Sequence, residues 1–322
     1  MHEISHAARL LQEGELVALP TETVYGLGAN ALDSSAVAKI FATKGRPSDN
    51  PLIVHVASLD AARPLLMETP PLVEQLASAF WPGPLTVVLP FRADCGLSPL
   101  VTCGLTSVGI RVPNHPVALA LLQAAAVPVA APSANKSGSP SPTTAAHVIS
   151  DFPEICVLDG GPCAVGLEST VVKILVDGPP VIRILRPGKI SARELEKFAP
   201  VQIGYSEVST QISPEAPGMK YKHYAPKAEV FLVSEASEIP EAADSDAVLI
   251  AFDDLVCDRN FVRLSLGGRE DLEEASRRLF GLLRRCDDLN AREVFIDVRF
   301  DRDLPGIGQA LWNRIYKAST KI

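Results

Sequence analysis

The chain has 322 residues, 47% hydrophobic and 21% charged, which is enough for two units that each bury a core. Thirty Lys and Arg against 38 Asp and Glu leave a net charge of −8, which argues against holding nucleic acid by bulk electrostatics. The six cysteines, at 95, 103, 156, 163, 257 and 286, include no CxxC pair, so a disulfide scaffold is not expected and a reducing compartment is.

From the start, Ile4, Ala7, Ala8 and Leu11 recur at helical spacing, and Leu16–Leu19 reads as a strand ended by Pro20. The first fifteen residues lack the sections of a signal peptide, and the longest apolar stretch, 117–131, is broken by Gln123 and Pro128. A cytoplasmic protein away from membranes is the expectation. Ser34 is placed to cap a helix with Val37, Ile40 and Phe41 on one face, ending near Gly45. Strands are expected at 52–56, 85–89, 107–112, 127–131, 155–158, 170–176 and 181–185. Helices are expected near 59–66, 70–80, 116–125, 143–150 and 191–198, the last opened by a Ser191/Glu194 capping box. This mixture predicts an α/β unit over residues 1–200, and its proline-rich turns and short gaps predict that some strands run antiparallel.

Residues 201–227 read as a connection carrying Pro217-Gly-Met-Lys-Tyr-Lys-His-Tyr-Ala-Pro226. A second, smaller α/β pattern fills 228–322, with strands at 229–233, 247–251, 261–265 and 293–297 and helices at 270–286 and 307–318. Arg277, Arg278, Arg284 and Arg285 share one helix with several acids, which suits a solvated face.

Polar residues gather where the first unit's strands end. Lys44-Gly-Arg-Pro-Ser-Asp-Asn-Pro-Leu-Ile-Val-His55 sets two cations, an amide and an imidazole around two prolines, which stiffen the turn. A stiff turn bearing donors suits a polyanion, because less side-chain entropy is lost on binding. Pro20–Gly28, Ala131–Gly138, Gly166–Thr170 and Arg186-Pro-Gly188 add hydroxyls, glycines and a second cation before proline. Ligands of α/β proteins bind at such strand ends. No P-loop, GxSxG elbow or zinc-ligand spacing is present, so none of those chemistries is expected, nor a metal held by the protein alone.

PTETVYGLG (20–28), K-x-RP-x-x-NPL (44–52), WPGPLT (81–86), APSAN (131–135), ESTVV (168–172) and LRPG (185–188) stand in this order. The series resembles that of the YrdC-type L-threonylcarbamoyladenylate synthases, and the PGMKYKHYAP segment with a following domain resembles their long, two-domain form. The resemblance implies a twisted mixed sheet with helices plus a smaller, Rossmann-like C-terminal domain. It also implies a reaction in which L-threonine, bicarbonate and ATP give threonylcarbamoyl-AMP and pyrophosphate for tRNA N6-threonylcarbamoyladenosine formation.

By the same resemblance, Lys44 and Arg46 would serve catalysis at the phosphates, and Arg46, Asn50, Ser107, Ser133, Asn135, Ser141 and Arg186 would bind ATP. His223 and Tyr224 would close over the nucleotide as a lid. Thr23, His55, Arg111, Ser169 and the backbone of Ala131 would hold L-threonine. Mg2+ would come with ATP, and the product would pass to a tRNA threonylcarbamoyl transferase, with direct tRNA binding left open. The alternative is an RNA-binding module of the same pathway.

Overall fold

Two sheets organise the chain, which a computed structural model describes over residues 2–175, 178–205, 224–240, 246–258 and 261–320. The stripe on α1 (His2–Gln12) buries Ala7, Ala8 and Leu11, as its spacing predicts. β1 (Val17–Leu19) is followed by β2 (Gly26–Asn30), a strand absent from the sequence expectation. Glycine in a strand interior marks a close approach: a Cβ on Gly28 would lie 2.8 Å from Val129 Cγ1. α2 (Ser34–Lys44) is capped not by Ser34 but by Asp33, whose carboxylate accepts from the N–H groups of Ser35 and Ala36. A charged acceptor at that position also favours the helix dipole. The helix stops as expected at Gly45, whose φ of 61° is left-handed.

β3 (Ile53–His55), α3 (Leu59–Ala62), α4 (Pro71–Phe80) and β4 (Leu85–Pro90) come next. They are followed by α5 (Pro99–Thr102), β5 (Ser107–Arg111), α6 (Pro116–Ala125), β6 (Val129–Ala130), α7 (Ala145–Asp151) and β7 (Cys156–Val157). β8 (Thr170–Leu175), β9 (Val181–Arg186), α8 (Ala192–Leu195) and β10 (Val201–Ile203) complete the unit. The Ser191/Glu194 capping box is present. Residues 201–203, expected in the connection, instead pair in parallel with β9. Of the linker motif, residues up to His223 lie outside the described residues.

The first sheet runs β10-β9-β8-β4-β5-β3-β6-β2-β1-β7 and mixes directions. β3 lies parallel to β5 but antiparallel to β6, and β4 is parallel to β8 but antiparallel to β5. The register of β3 on β5 sets His55 opposite Arg111.

The second sheet, β11 (Glu229–Val233), β12 (Val248–Phe252), β13 (Val262–Gly267) and β14 (Glu293–Asp297), is parallel in the order β11-β14-β12-β13. β12 is buried at every position, as a parallel strand covered on both faces should be. α9 (Leu272–Asp288) and α10 (Ile307–Ala318) pack on it. No helix among the described residues is long and apolar enough to cross a membrane.

The two units share a core. Val24 and Leu167 of the first pack with Tyr224 into the apolar cluster that holds Leu279, Phe280 and Leu283 of α9. The expectation of a solvated arginine face holds for Arg277 and Arg278, which pair with Glu274. It fails for Arg284, which turns inward to Asp151 at 2.6 Å and to the Pro140 carbonyl at 2.7 Å. Arg277 and Arg284 stand seven residues apart on one stripe of the helix, so local partners make the split: Glu274 takes Arg277, while Asp151 and the Pro140 carbonyl of the first unit take Arg284.

Gly166 has a left-handed φ of 80°, and a Cβ there would lie 2.5 Å from the Cα of Arg277 in α9. Gly166→Ala therefore combines backbone strain with a clash against backbone, at about 1–3 kcal/mol. Thermal unfolding should fall by at least about 2 °C; an unchanged melting temperature would show that the contact between the units yields freely.

Candidate active site

The ends of β1, β3, β5, β6 and β9, with the loops that lead into β3 and β8, surround one cleft of about 630 Å³, counted to its open mouth. Thr23, Arg46, His55, Arg111, Ala131, Ser133, Ser169, Arg186 and Tyr224 all line it, although they span two hundred residues of chain. Thr21, Val24, Gly26, Ile53, Pro132 and Glu168 complete the wall.

One group of wall residues is built around Arg111. Its NH1 donates to Thr23 Oγ1 at 2.9 Å and its Nε to the Gly83 carbonyl at 3.3 Å. Thr21 gives its single hydroxyl proton to the Val24 carbonyl at 2.6 Å, so the 2.9 Å contact between the threonines takes its proton from Thr23. Arg111 NH2 lies 2.8 Å from Glu22 Oε2, yet off the hydrogen-bond direction. It leaves a buried donor without an aligned partner, as does His55 Nδ1. Burial, and then the charge of Arg111, push the His55 imidazole down to about 3, so it is neutral at pH 7. Unsatisfied polar atoms are costly when buried, and here two of them belong to residues that face the cleft.

A second group contains Arg46 and Arg186. Arg46 curls over its own proline turn, donating to the carbonyls of Asn50 at 3.1 Å and Pro51 at 2.8 Å. Arg186 donates to the Ser169 carbonyl and hydroxyl, both at 3.1 Å, and Ser169 Oγ also meets Thr86 at 2.8 Å. Burial pushes each guanidinium down to about 10, leaving both charged at neutral pH. Two charged guanidiniums with limited access to water form an anion site of local origin in an acidic chain.

The other expected residues stand behind this wall. Lys44, expected to face the phosphates, is buried and donates to the Ser133 carbonyl at 2.6 Å and to the Asn135 carbonyl. Burial, and then Arg46, hold its amine well below the ordinary lysine range. Its place at the end of α2 aims the side chain at the 133–135 backbone, which presents two acceptors. Asn135 donates to the carbonyls of Lys136 and Ser139, and its Oδ1 and that of Asn50 are buried without partners. Ser141 donates to Glu168 Oε1 at 2.6 Å, one bond from the cleft. Ser107 lines a neighbouring hollow that shares Ile53 with the cleft. His223 lies outside the described residues.

Sequence reasoning did not single out Thr21, Glu168 and Arg314. Glu168 stands inside the ESTVV motif, so its position was visible; Arg314 sits on a helix of the other unit and carries no local signal. Burial would raise the Glu168 carboxyl, but the charges of Arg314 and Arg186 and hydrogen bonds from Ser141 and Arg314 hold it below the usual range. Among the described residues no three His, Cys, Asp or Glu side chains are gathered as a metal cluster.

Comparison with known proteins agrees with this geometry. Residues 9–188 match the Sua5/YciO/YrdC family model, described as telomere recombination, and residues 190–320 match the threonylcarbamoyl-AMP synthase C-terminal domain. Threonylcarbamoyl-AMP synthase of Bacillus subtilis (strain 168) is 42% identical, over 98% of this chain and 93% of its own. That of Pyrococcus abyssi (strain GE5 / Orsay) is also 42% identical, over 98% and 94%. The crystal structure of P. abyssi Sua5 complexed with L-threonine superposes with a TM-score of 0.88 over 98% of this chain and 94% of that one. With both family models matched in order and relatives aligned along almost the whole length, the chain belongs to the Sua5/YrdC family, in the form that carries the Sua5 C-terminal domain.

Proposed function

We propose that this chain is a threonylcarbamoyl-AMP synthase that joins L-threonine, bicarbonate and ATP and releases pyrophosphate. The observation that carries the reading is the single cleft in which Arg46, Arg111 and Arg186 meet hydroxyls and a neutral imidazole. The full-length relatives bear the synthase name, and one of them has been crystallised with L-threonine.

The chemistry asks mainly for positioning and charge neutralisation. In this reading the threonine carboxylate docks on Arg111, whose NH2 lacks an aligned partner, with Thr23, Ser169, the Ala131 backbone and the His55 Nδ1 edge around the rest of the molecule. Threonine amine and bicarbonate condense to a carbamate, whose oxygen attacks the α-phosphorus as pyrophosphate leaves. Arg46 and Arg186 neutralise the triphosphate, and Ser133 and Ser107 with the orphan amide oxygens of Asn50 and Asn135 extend the nucleotide site. Lys44 acts one step back, fixing the 133–135 backbone, and Ser141 acts through Glu168. Tyr224, at the cleft, would close the nucleotide side together with His223 and exclude water from a labile acyl phosphate.

The cleft's donors are cations, hydroxyls and amides, while the nearby carboxylates Glu22 and Glu168 are paired with Arg111 and Arg314. That set does not fit a protein-held metal, so Mg2+ would be carried by the nucleotide phosphates and water, and no step is assigned to it. We further place the catalytic domain at 1–203, its last strand taken from the expected connection, the linker at 204–227 and the small domain at 228–322, in a cytoplasmic protein whose product passes to a tRNA threonylcarbamoyl transferase. The RNA-binding alternative is disfavoured, because the net charge is −8 and the cations of the cleft are withdrawn from the surface.

The reading requires pyrophosphate release that depends on threonine, bicarbonate and ATP together; salt-sensitive RNA binding without turnover would overturn it. Arg46→Ala should lower kcat/KM at least about tenfold, or 1.4 kcal/mol, with little change in melting temperature. Lys44→Ala should lower both, since its two carbonyl bonds are structural; an unaltered melting temperature would return Lys44 to the phosphates.

His55 supplies a pH test. Its folded value of about 3 lies below the ordinary 6.5, so between those values the unfolded chain binds the extra proton and stability falls as pH falls. Imidazole resonances of His55 should show no titration from pH 8 to 4.5. A midpoint near 6.5 would show that the ring is exposed.

A further inference from the structure

Behind the cleft wall stands a residue of the second unit. Arg314 of α10 has no exposed surface, and its Nε donates to Glu168 Oε2 at 2.8 Å. NH1 donates to the Pro187 carbonyl at 2.9 Å and to Asn313 Oδ1 at 3.0 Å, and NH2 to the Glu168 carbonyl at 3.4 Å. Glu168 adjoins Ser169 and Pro187 adjoins Arg186, so one guanidinium fastens the two loops that bring those residues to the cleft. The guanidinium also stands 5.6 Å from the centre of the Tyr224 ring, which packs on Phe280 of α9.

Glu168 itself lines the cleft, which is otherwise furnished for anions. A carboxylate in that position would repel a polyphosphate, or draw the charge of Arg186 onto itself, unless its own charge were met from behind. Arg314 meets it from behind. A plain interface ion pair would need neither the adjacency to Ser169 and Arg186 nor a carboxylate open to the cleft.

We infer that Arg314 is a positioning residue of the nucleotide site: it balances the charge of Glu168 at the cleft wall, so that the second unit completes a site lodged in the first. This role rests on reading the cleft as a nucleotide site. It gives the smaller unit a direct part in binding ATP, transmitted through one buried side chain.

The test compares Arg314→Met, the double variant Arg314→Met/Glu168→Gln and wild type, titrating ATP and L-threonine separately by calorimetry on the full chain. Arg314→Met should weaken ATP binding at least tenfold and L-threonine binding no more than threefold. Removing the stranded charge in the double variant should return ATP affinity to within threefold of wild type, a rescue that a purely structural contact would not give. Wild-type ATP affinity in Arg314→Met, or a double variant as weak as the single one, would overturn the inference. Should Arg314→Met fail to fold, the double variant decides: ATP binding within threefold of wild type supports the role, and weaker binding overturns it. Wild-type protein that binds no ATP would overturn the nucleotide reading of the cleft along with this role, whereas the variant results overturn this role alone.

Discussion

A buried guanidinium must have a partner whether or not its ligand is bound, and the architecture of this protein follows from that constraint. Arg111, Arg186 and Arg314 are each nearly or wholly removed from solvent. Taking such charges from water costs several kcal/mol apiece unless hydrogen bonds and counter-charges compensate. Glu22 answers Arg111, Glu168 answers Arg314, and Arg186 is held by Ser169. The cleft can therefore fold empty while keeping its charge.

The same constraint explains why the cleft draws on distant parts of the chain. Strand ends present carbonyls and hydroxyls at fixed spacing, and the mixed sheet brings five of them around one space. The antiparallel run β2-β6-β3 is central to this. It carries the Thr23 loop and the Ala131–Asn135 loop to one flank of His55, while the parallel β3/β5 register supplies Arg111 on the other. Lys44 then ties the Lys-Gly-Arg-Pro turn to the 133–135 backbone.

Much of this was legible in the sequence. Amphipathic spacing located α1, α4, α6, α9 and α10, and β-branched runs located most strands. The ordered motifs named the residues that converge on the cleft. What escaped has physical causes. β2 is rich in glycine and alanine because the side chains of Val129, Leu19 and Ala131 fill the space beside it, so it lacks the branched residues that mark a strand. β10 borders the connection and has only three residues, two of them exposed. Lys44 looked like a phosphate ligand by type, and only the structure shows two carbonyls already holding its ammonium. Arg314 and the inward turn of Arg284 were invisible, because a contact between units depends on partners more than a hundred residues away.

That separation has a consequence for how the protein comes into being. Arg314 lies 146 residues after the glutamate it meets. Translation releases a chain from its N-terminus and domains fold as they emerge. The first sheet can thus assemble while Glu168 still lacks its counter-ion, and the cleft gains its final charge balance only once α10 has emerged and docked. A nascent chain stalled before α10 would present a folded but electrostatically unfinished site.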